Sequence, residues 1–458
     1  MKWVHFVGVS GIGMSAAAEI TLRSGMRVSG SATERNSLVD RLVEGGMEFF
    51  LGHSPDHVKN PDLVVASAAV PPDNPELLEA GKRGIPVCLY SQYLGVLMSE
   101  KRGIAVAGTH GKTTTTAMLA LMLWMGGMNP TVVCGGVMKN FSSNALFGSG
   151  DYFLSEACEY NRSFLHLSKW YAVVTNIEAD HLDYYRDIDE IRDAFAVFSR
   201  EINPEGFLVV NGDDENLRRI FQNPAMDAVK IYTVGYGSRN RYRVMSEGCG
   251  NGFYSVKVFE DEKSILKAKV PVPGVFNCLN AALAGVCALN LGISYDLINS
   301  AIEAFKGTER RFEMLGVVKG NPVYSDYAHH PTEIRSFLKA LRERYPSRRV
   351  AAVFQPHQYS RTSIFFNEFI DALRVVDFLI ITEIYRQRDS EEAVRSISGV
   401  DLYHAIEGAM GKRVEFKAVN EEIFTALEEL DSNRWVCAFI GAGDIDSAAR
   451  RFVEIKTF

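Results

Sequence analysis

The chain has 458 residues, too many for one ordinary hydrophobic core, and the usual size of a domain predicts about three. Hydrophobic residues make up 47% and charged residues 23%, the balance of a soluble globular protein, and a net charge of -7 leaves no basic footprint for nucleic acid. A phosphate-bearing ligand must therefore meet local positive charge.

No stretch approaches the roughly eighteen apolar residues of a membrane span. Met1-Lys-Trp-Val-His-Phe-Val-Gly reads as a strand and not as a signal peptide, so a cytoplasmic chain with no membrane partner is expected. The 7 cysteines form no close CxxC pair, which predicts reduced thiols and no disulfide frame or cysteine zinc site.

Residues 2 to about 92 alternate short apolar runs (Val4-His-Phe-Val, Met26-Arg-Val-Ser, Leu63-Val-Val-Ala, Pro86-Val-Cys-Leu) with helical stretches, the pattern of a small parallel sheet wrapped by helices. Its first turn, Gly8-Val-Ser-Gly-Ile-Gly13-Met14, follows a strand and opens a helix, where a diphosphate meets backbone N–H groups. Ser10 replaces the central glycine of the dinucleotide fingerprint, and Gly30-Ser-Ala-Thr33 stands where that fold keeps an acidic residue for a ribose. The turn therefore suits a nucleotide diphosphate that is not a redox cofactor.

A second series begins at Gly103. Ala105-Val-Ala-Gly-Thr-His-Gly-Lys-Thr-Thr-Thr-Thr116 is a strand that breaks into a glycine-bounded loop ending in Lys-Thr. Gly108 and Gly111 let backbone N–H groups turn onto phosphate oxygens, Lys112 supplies a cation, and the Thr113 hydroxyl suits magnesium. The following helix, through Trp124, aims its positive end at the same phosphates. Glu156 ends the strand 151–156, where a carboxylate can join Thr113 on magnesium, with Glu159 three residues on. Thr175-Asn-Ile-Glu-Ala-Asp-His181 ends the next strand, and His181 suits a second metal or acid–base work. Strand 207–211 continues the series, and alternation between about 240 and 272 predicts antiparallel strands.

Helices are expected over 277–290 and 294–305. Asn277 and Asn280 stand on one face of the first, placed to meet a nucleotide, and Arg310 and Arg311 offer guanidinium groups for phosphoryl charge. A third α/β series has strands at 350–354, 378–382 and 435–440. Ser325-Asp-Tyr-Ala-His-His-Pro-Thr-Glu333 and Phe354-Gln-Pro-His-Gln-Tyr-Ser-Arg-Thr362 each follow a strand and bunch His, Asp, Tyr and Arg before a helix, which argues for one shared cleft.

Over essentially its whole length the chain resembles the Mur ligases, through the short loop Gly108-Thr-His-Gly-Lys-Thr-Thr-Thr-Thr116, Gly11-Ile-Gly-Met14, Ser163-Phe-Leu-His-Leu167, the His181 motif, Asp326-Tyr-Ala-His-His-Pro-Thr-Glu333 and Gln355-Pro-His. The resemblance implies three α/β domains: a Rossmann-like UDP-sugar domain over 1–95, a central P-loop ATPase-type domain with added antiparallel strands over 96–315, and a Rossmann-like amino-acid domain over 316–458. It implies ATP-dependent joining of L-alanine to the lactyl carboxylate of UDP-N-acetylmuramate through an acyl phosphate, giving ADP and phosphate, in peptidoglycan precursor synthesis.

ATP contacts are then expected from Gly108, Thr109, His110, Gly111, Lys112, Thr113, Thr114, Asn277, Asn280, Arg311 and Asp326. Mg2+ falls to Thr113, Glu156 and His181, and catalysis to Lys112, His181, Arg311 and Asp326. Substrate contacts fall to Gly11, Ile12, Gly13, Met14, Ser31, Ser67, Tyr327, His329, His357 and Arg361. His181 and His329 are the candidate bases for the incoming amine. The expected partners are small molecules only, and both a monomer and a homodimer remain open.

Cys158 and Gln358 replace residues common in the family, aspartate and arginine, so acceptor-carboxylate contact rests on Arg361 and its neighbours. The rival readings are a ligase that attaches a tripeptide to the same sugar nucleotide, a nicotinamide-dependent oxidoreductase and a nonenzymatic ATP-gated binding protein.

Overall fold

The structure is a computed structural model that describes residues 2–411 and 413–456. The chain folds into three consecutive α/β units, each built on its own sheet. The first sheet holds Trp3–Val7 (β1), Arg27–Ala32 (β2), Glu48–Leu51 (β3), Leu63–Ala66 (β4) and Val87–Leu89 (β5) in the order β3-β2-β1-β4-β5, all parallel. Val4, Phe6 and Val7 are fully buried because helices cover both faces, so β1 reads as a near-continuous apolar run. The helix Ile12–Arg23 packs through Ala16, Ala17 and Ala18, whose small side chains let it lie close to the sheet.

The central sheet has ten strands: Arg102–Ala107 (β6), Thr131–Met138 (β7), Ser143–Leu146 (β8), Tyr152–Glu156 (β9), Tyr171–Val174 (β10), Phe207–Asn211 (β11), Ile231–Gly235 (β12), Tyr242–Gly250 (β13), Phe253–Glu260 (β14) and Lys263–Val270 (β15). β6 lies between β10 and β9 and is parallel to both, while β13, β14 and β15 form the expected antiparallel extension. Helices Lys112–Met125 and Phe276–Asn290 pack together against this sheet, burying Leu119, Leu123, Leu283 and Val286. β7 and β8 pair antiparallel at the edge of this sheet, where Gly135 and Gly136 interrupt β7 and the register shifts between Val133 and Met138.

The third sheet orders Glu313–Val318 (β16), Asn321–Asp326 (β17), Arg349–Phe354 (β18), Phe378–Ile381 (β19), Arg413–Phe416 (β20) and Trp435–Ile440 (β21) as β16-β17-β21-β18-β19-β20. β18, β19 and β21 match the expected strands. β16 pairs antiparallel with β17 through the tight turn at Lys319 and Gly320, both at positive φ. No helix among the described residues is long and apolar enough to cross a membrane.

The first two units meet along the helix Tyr90–Ser99, which lies on the turn Tyr160–His166. Gly95 makes that approach possible, since an added Cβ would fall 2.1 Å from the His166 carbonyl oxygen. Gly95→Ala is therefore expected to cost about 1–3 kcal/mol of stability, because backbone must move. Gly81→Ala, in a helix with open space around the site, is expected to be neutral or to stabilise by roughly 0.5–1 kcal/mol. Thermal melting of both variants checks the contrast; equal melting temperatures would contradict the tight approach.

Candidate functional site

In the first sheet the direction of winding reverses between β1 and β4, and the crevice beyond their carboxyl ends is where such folds bind ligands. The glycine turn fills it. Gly8, at φ 86°, directs its N–H and that of Val9 onto the Ser31 carbonyl at 2.8 and 3.0 Å. Gly11 caps the helix Ile12–Arg23 without a side-chain hydrogen bond, which leaves first-turn N–H groups for a ligand anion. Gly13 has to lack a Cβ, which would lie 2.7 Å from the Tyr90 hydroxyl.

Ile12 is partly exposed at the crevice, Met14 is buried beneath it, and Ser67 packs against Gly8. Ser31 points inward: its hydroxyl donates to Glu76 at 2.5 Å. Glu76 is fully buried, and although burial raises its pKa, hydrogen bonds with His5, Ser31 and His57 bring it down to about 2.

The phosphate loop occupies the equivalent crevice of the central sheet, between the ends of β9 and β10. Gly108 and Gly111 have φ of 130° and 81°, which ordinary side chains resist. A Cβ on Gly108 would also fall 2.1 Å from the Thr175 hydroxyl. The segment after β10 pins the loop: Asn176 accepts from Thr109 N and His110 N, and the Thr175 hydroxyl donates to the His110 carbonyl at 2.6 Å.

Lys112 turns back into this loop. Its ammonium donates to the Gly108 and Thr109 carbonyls at 2.5 and 3.0 Å and pairs with Glu159 at 2.9 Å. Burial pulls its pKa down, but the charges of Glu159 and its neighbours raise it beyond the ordinary value, so the lysine stays cationic. Thr113 is buried at the helix start, while Thr114 faces the cavity.

Glu156 accepts the Gly135 N–H at 2.9 Å and makes no salt bridge among the described residues. A Cβ on Gly135 would sit 2.4 Å from that carboxylate, so the glycine keeps space beside it open. A carboxylate at a strand edge with no direct ion pair offers the hard oxygen ligands that Mg2+ prefers, within the field of Lys112 and Arg311. His181, at φ 54°, lies 4.0 Å from Glu159 and packs on Tyr160.

The third unit closes over the loop. His110 pairs with Glu178 at 2.7 Å and with Glu333, from the C-terminal unit, at 3.3 Å. Burial opposes its charge, but hydrogen bonds with Glu178 and Glu333 raise its pKa to about 9. Asp180 takes two guanidinium N–H groups of Arg361, at 3.2 and 3.0 Å, in a pair that is almost fully buried. Burial raises the Asp180 pKa, yet the Arg361 charge holds it well below the ordinary carboxylate value. Arg361 also meets His357 at 3.2 Å, and His329 lies 3.3 Å from Glu333. Burial lowers His329 to about 3 and His357 to about 4, so both are neutral imidazoles near pH 7.

Between these units lies a cavity of about 550 Å³. Its walls include Phe276, Phe305, Phe312 and Phe337, flat surfaces for a base, and the polar groups Asn277, Asn280, Arg311 and Asp326. Asn277 donates to the Pro273 carbonyl at 2.7 Å, and Asn280 reaches Asn277 at 3.2 Å. Asn280 also touches the loop, since a Cβ on Gly111 would fall 2.6 Å from its carbonyl oxygen.

Asp326 accepts N–H groups from Phe312 and Ala328, and burial raises its pKa to about 6. Arg311 stacks on Tyr327 and lies 3.6 Å from Glu333. Arg310 also stacks on Tyr327 and donates to the Gly441 and Gly443 carbonyls.

The structure thus gathers the loop, Glu156, His181, the two asparagines, Arg311, Asp326, Tyr327, His329, His357 and Arg361 around one seam. Gly11 to Met14, Ser31 and Ser67 form a separate crevice. The sequence left Glu178, Asp180, His330 and Glu333 without roles, although all four lie inside motifs it singled out. Their partners across the seam come from segments more than 150 residues away, a proximity no local spacing encodes.

A raised histidine pKa stabilises the fold fully below the ordinary value of 6.5, and the stabilisation is lost as pH rises through about 9. His110→Gln should therefore melt below the parent protein at pH 6, with the gap closing as pH passes about 9. A gap independent of pH would contradict the ionic link.

Three family models cover the chain in order: the Mur ligase family catalytic domain matches residues 3–102, the Mur ligase middle domain 106–288 and the Mur ligase glutamate ligase domain 310–443. The chain is 38% identical over 454 residues to the UDP-N-acetylmuramate--L-alanine ligase of Aquifex aeolicus, covering 99% of this chain and 98% of that one. It is 41% identical over 461 residues to the enzyme of the same name from Acetivibrio thermocellus, covering 99% and 96%. The crystal structure of UDP-N-acetylmuramate-alanine ligase from Thermotoga maritima superposes with a TM-score of 0.84 at 30% identity, covering 100% of this chain and 99% of that chain. With its phosphate loop, its three sheets and its full length all matched, this chain belongs to the Mur ligase family.

Proposed function

We propose that the protein joins L-alanine to the lactyl carboxylate of UDP-N-acetylmuramate, with cleavage of ATP to ADP and phosphate, in peptidoglycan precursor synthesis. The observation that carries this reading is the pairing of two anion-ready crevices, at Gly8 and at Gly108, with full-length similarity to relatives named for that reaction. The reading assigns the UDP-sugar to a unit over 1–95, ATP to 96–315 and the amino acid to 316–458.

Adenine would enter the aromatic cavity, and its triphosphate would run along the phosphate loop. Lys112 then exchanges its bonds to the Gly108 and Thr109 carbonyls for phosphate oxygens, while Glu159 keeps its position. Thr113 and Glu156 would hold Mg2+, with His181 beside them; bound there, the ion neutralises charge on the β- and γ-phosphates. Arg311, held by Tyr327 and Glu333, faces the transferring phosphoryl group from the opposite wall.

The lactyl carboxylate attacks the γ-phosphorus, ADP leaves, and the alanine amine then displaces phosphate from the acyl phosphate. Closing the seam keeps water from that intermediate. Arg361 would have to turn part of its guanidinium from Asp180 and His357 to the carboxylate of alanine, with neutral His329 packed on His357 beside it. With a pKa depressed to about 3, His329 accepts a proton poorly, which favours an orienting role over that of a base.

Phosphate release measured with ATP, UDP-N-acetylmuramate and one acceptor at a time tests the reading. L-Alanine should give turnover, and a tripeptide should give background; the reverse would overturn it. Lys112→Ala should reduce turnover by more than about a thousandfold, as loss of a principal electrostatic contact does, while UDP-sugar binding measured by calorimetry stays near that of the parent. Loss of both together would contradict the separation of the two nucleotides.

A further inference from the structure

The geometry points to a site for a transition-metal dication, best suited to Zn2+, formed by His110, Glu178 and His330 on the seam between the central and C-terminal units. One ligand atom from each of the three lies within 4.8 Å of the other two. Two imidazoles and one carboxylate match zinc, whereas Mg2+ prefers oxygen alone, so this site differs in chemistry from the one at Thr113 and Glu156.

Two of the three donors, His110 and Glu178, are already oriented. Glu333 lies 3.3 Å from Nδ1 of His110, which leaves Nε2 facing Glu178 at 2.7 Å, the carboxylate–imidazole arrangement that aims a metal-binding histidine. Thr332 donates to Oε1 of Glu178 at 2.8 Å and leaves Oε2 turned toward both histidines. The His330 side chain is 5% exposed; its Nδ1, 3.9 Å from that oxygen, accepts the Thr332 N–H at 3.3 Å, a bond that zinc on Nδ1 would displace, and its Nε2 has no hydrogen-bond partner. Tetrahedral zinc spaces its donors roughly 3.4 Å apart, so the most widely separated pair has to close by up to about 1.4 Å to complete the site. In doing so zinc replaces the proton now shared by His110 and Glu178, which leaves to solvent.

Three protein ligands leave a fourth position open, and His110 and Glu178 also line the large cavity. Because His330 comes from the C-terminal unit, zinc would bind only when the seam is closed and would hold it closed.

Equilibrium dialysis of the full chain against Zn2+ in excess Mg2+ tests the site. One zinc per chain is expected. Loss of an outer partner alone weakens metal binding roughly 10–100-fold, so His330→Asn and Glu178→Gln should each weaken it by at least about tenfold, while Glu156→Gln leaves it unchanged. Far-ultraviolet circular dichroism establishes that each variant is folded, and Glu178→Gln carries the test if His330→Asn is not. The site is ruled out if no stoichiometric zinc binds, if both folded variants bind as the parent does, or if Glu156→Gln abolishes binding.

Discussion

A lysine ammonium held inside a folded protein has to find negative charge, and Lys112 finds it in Glu159 and in two carbonyls of its own loop. That requirement organises what surrounds it. The loop can present carbonyls inward only because Gly108 and Gly111 take positive φ, and Gly108 can approach β10 only because it has no Cβ. Glu159 in turn is fixed by the turn after β9 and by the Tyr185 hydroxyl, which donates to its carbonyl at 2.5 Å. In the proposed reaction a nucleotide would meet a cation that is preformed and charged, with a countercharge behind it that need not move.

The same loop is where the units converge. His110 reaches Glu178 on its own sheet and Glu333 on the next, and Asp180 and Arg361 form a second buried link across the seam. Removing one member of such a pair strands the other in low dielectric, so each buried link favours the engaged seam. Opening it would hydrate four charged groups together, and closing it would exclude water from the place where an acyl phosphate has to survive. The N-terminal unit is joined differently, through Gly95 against His166 and through Asn144, which donates to the Ile12 carbonyl at 2.6 Å, just where the diphosphate crevice begins.

Much of this was legible in the residues. β4, β11, β18 and β21 coincide with the apolar runs read from the chain, because buried parallel strands leave an unbroken hydrophobic signature. The short phosphate loop, Glu156 and the His181 motif stood out because each ends such a run. β8 and β20 escaped as short edge strands, and β7 because Gly135 and Gly136 break its apolar run. Ser31 was expected at the substrate, yet its hydroxyl is committed to Glu76, a residue with no local motif whose three histidine neighbours gather only on folding. Arg310 and Arg311 look equivalent in sequence, and only the turn at positive φ separates them, sending one to the Gly441 carbonyl and the other to the cavity.

The central claim is that Lys112 and its neighbours activate a carboxylate by phosphoryl transfer before the amine arrives. The most direct test is to label both oxygens of the lactyl carboxylate of UDP-N-acetylmuramate with oxygen-18, run the reaction with L-alanine and ATP, and analyse the released phosphate by mass spectrometry. An acyl phosphate passes one labelled oxygen to each phosphate released. Phosphate free of label would contradict the account.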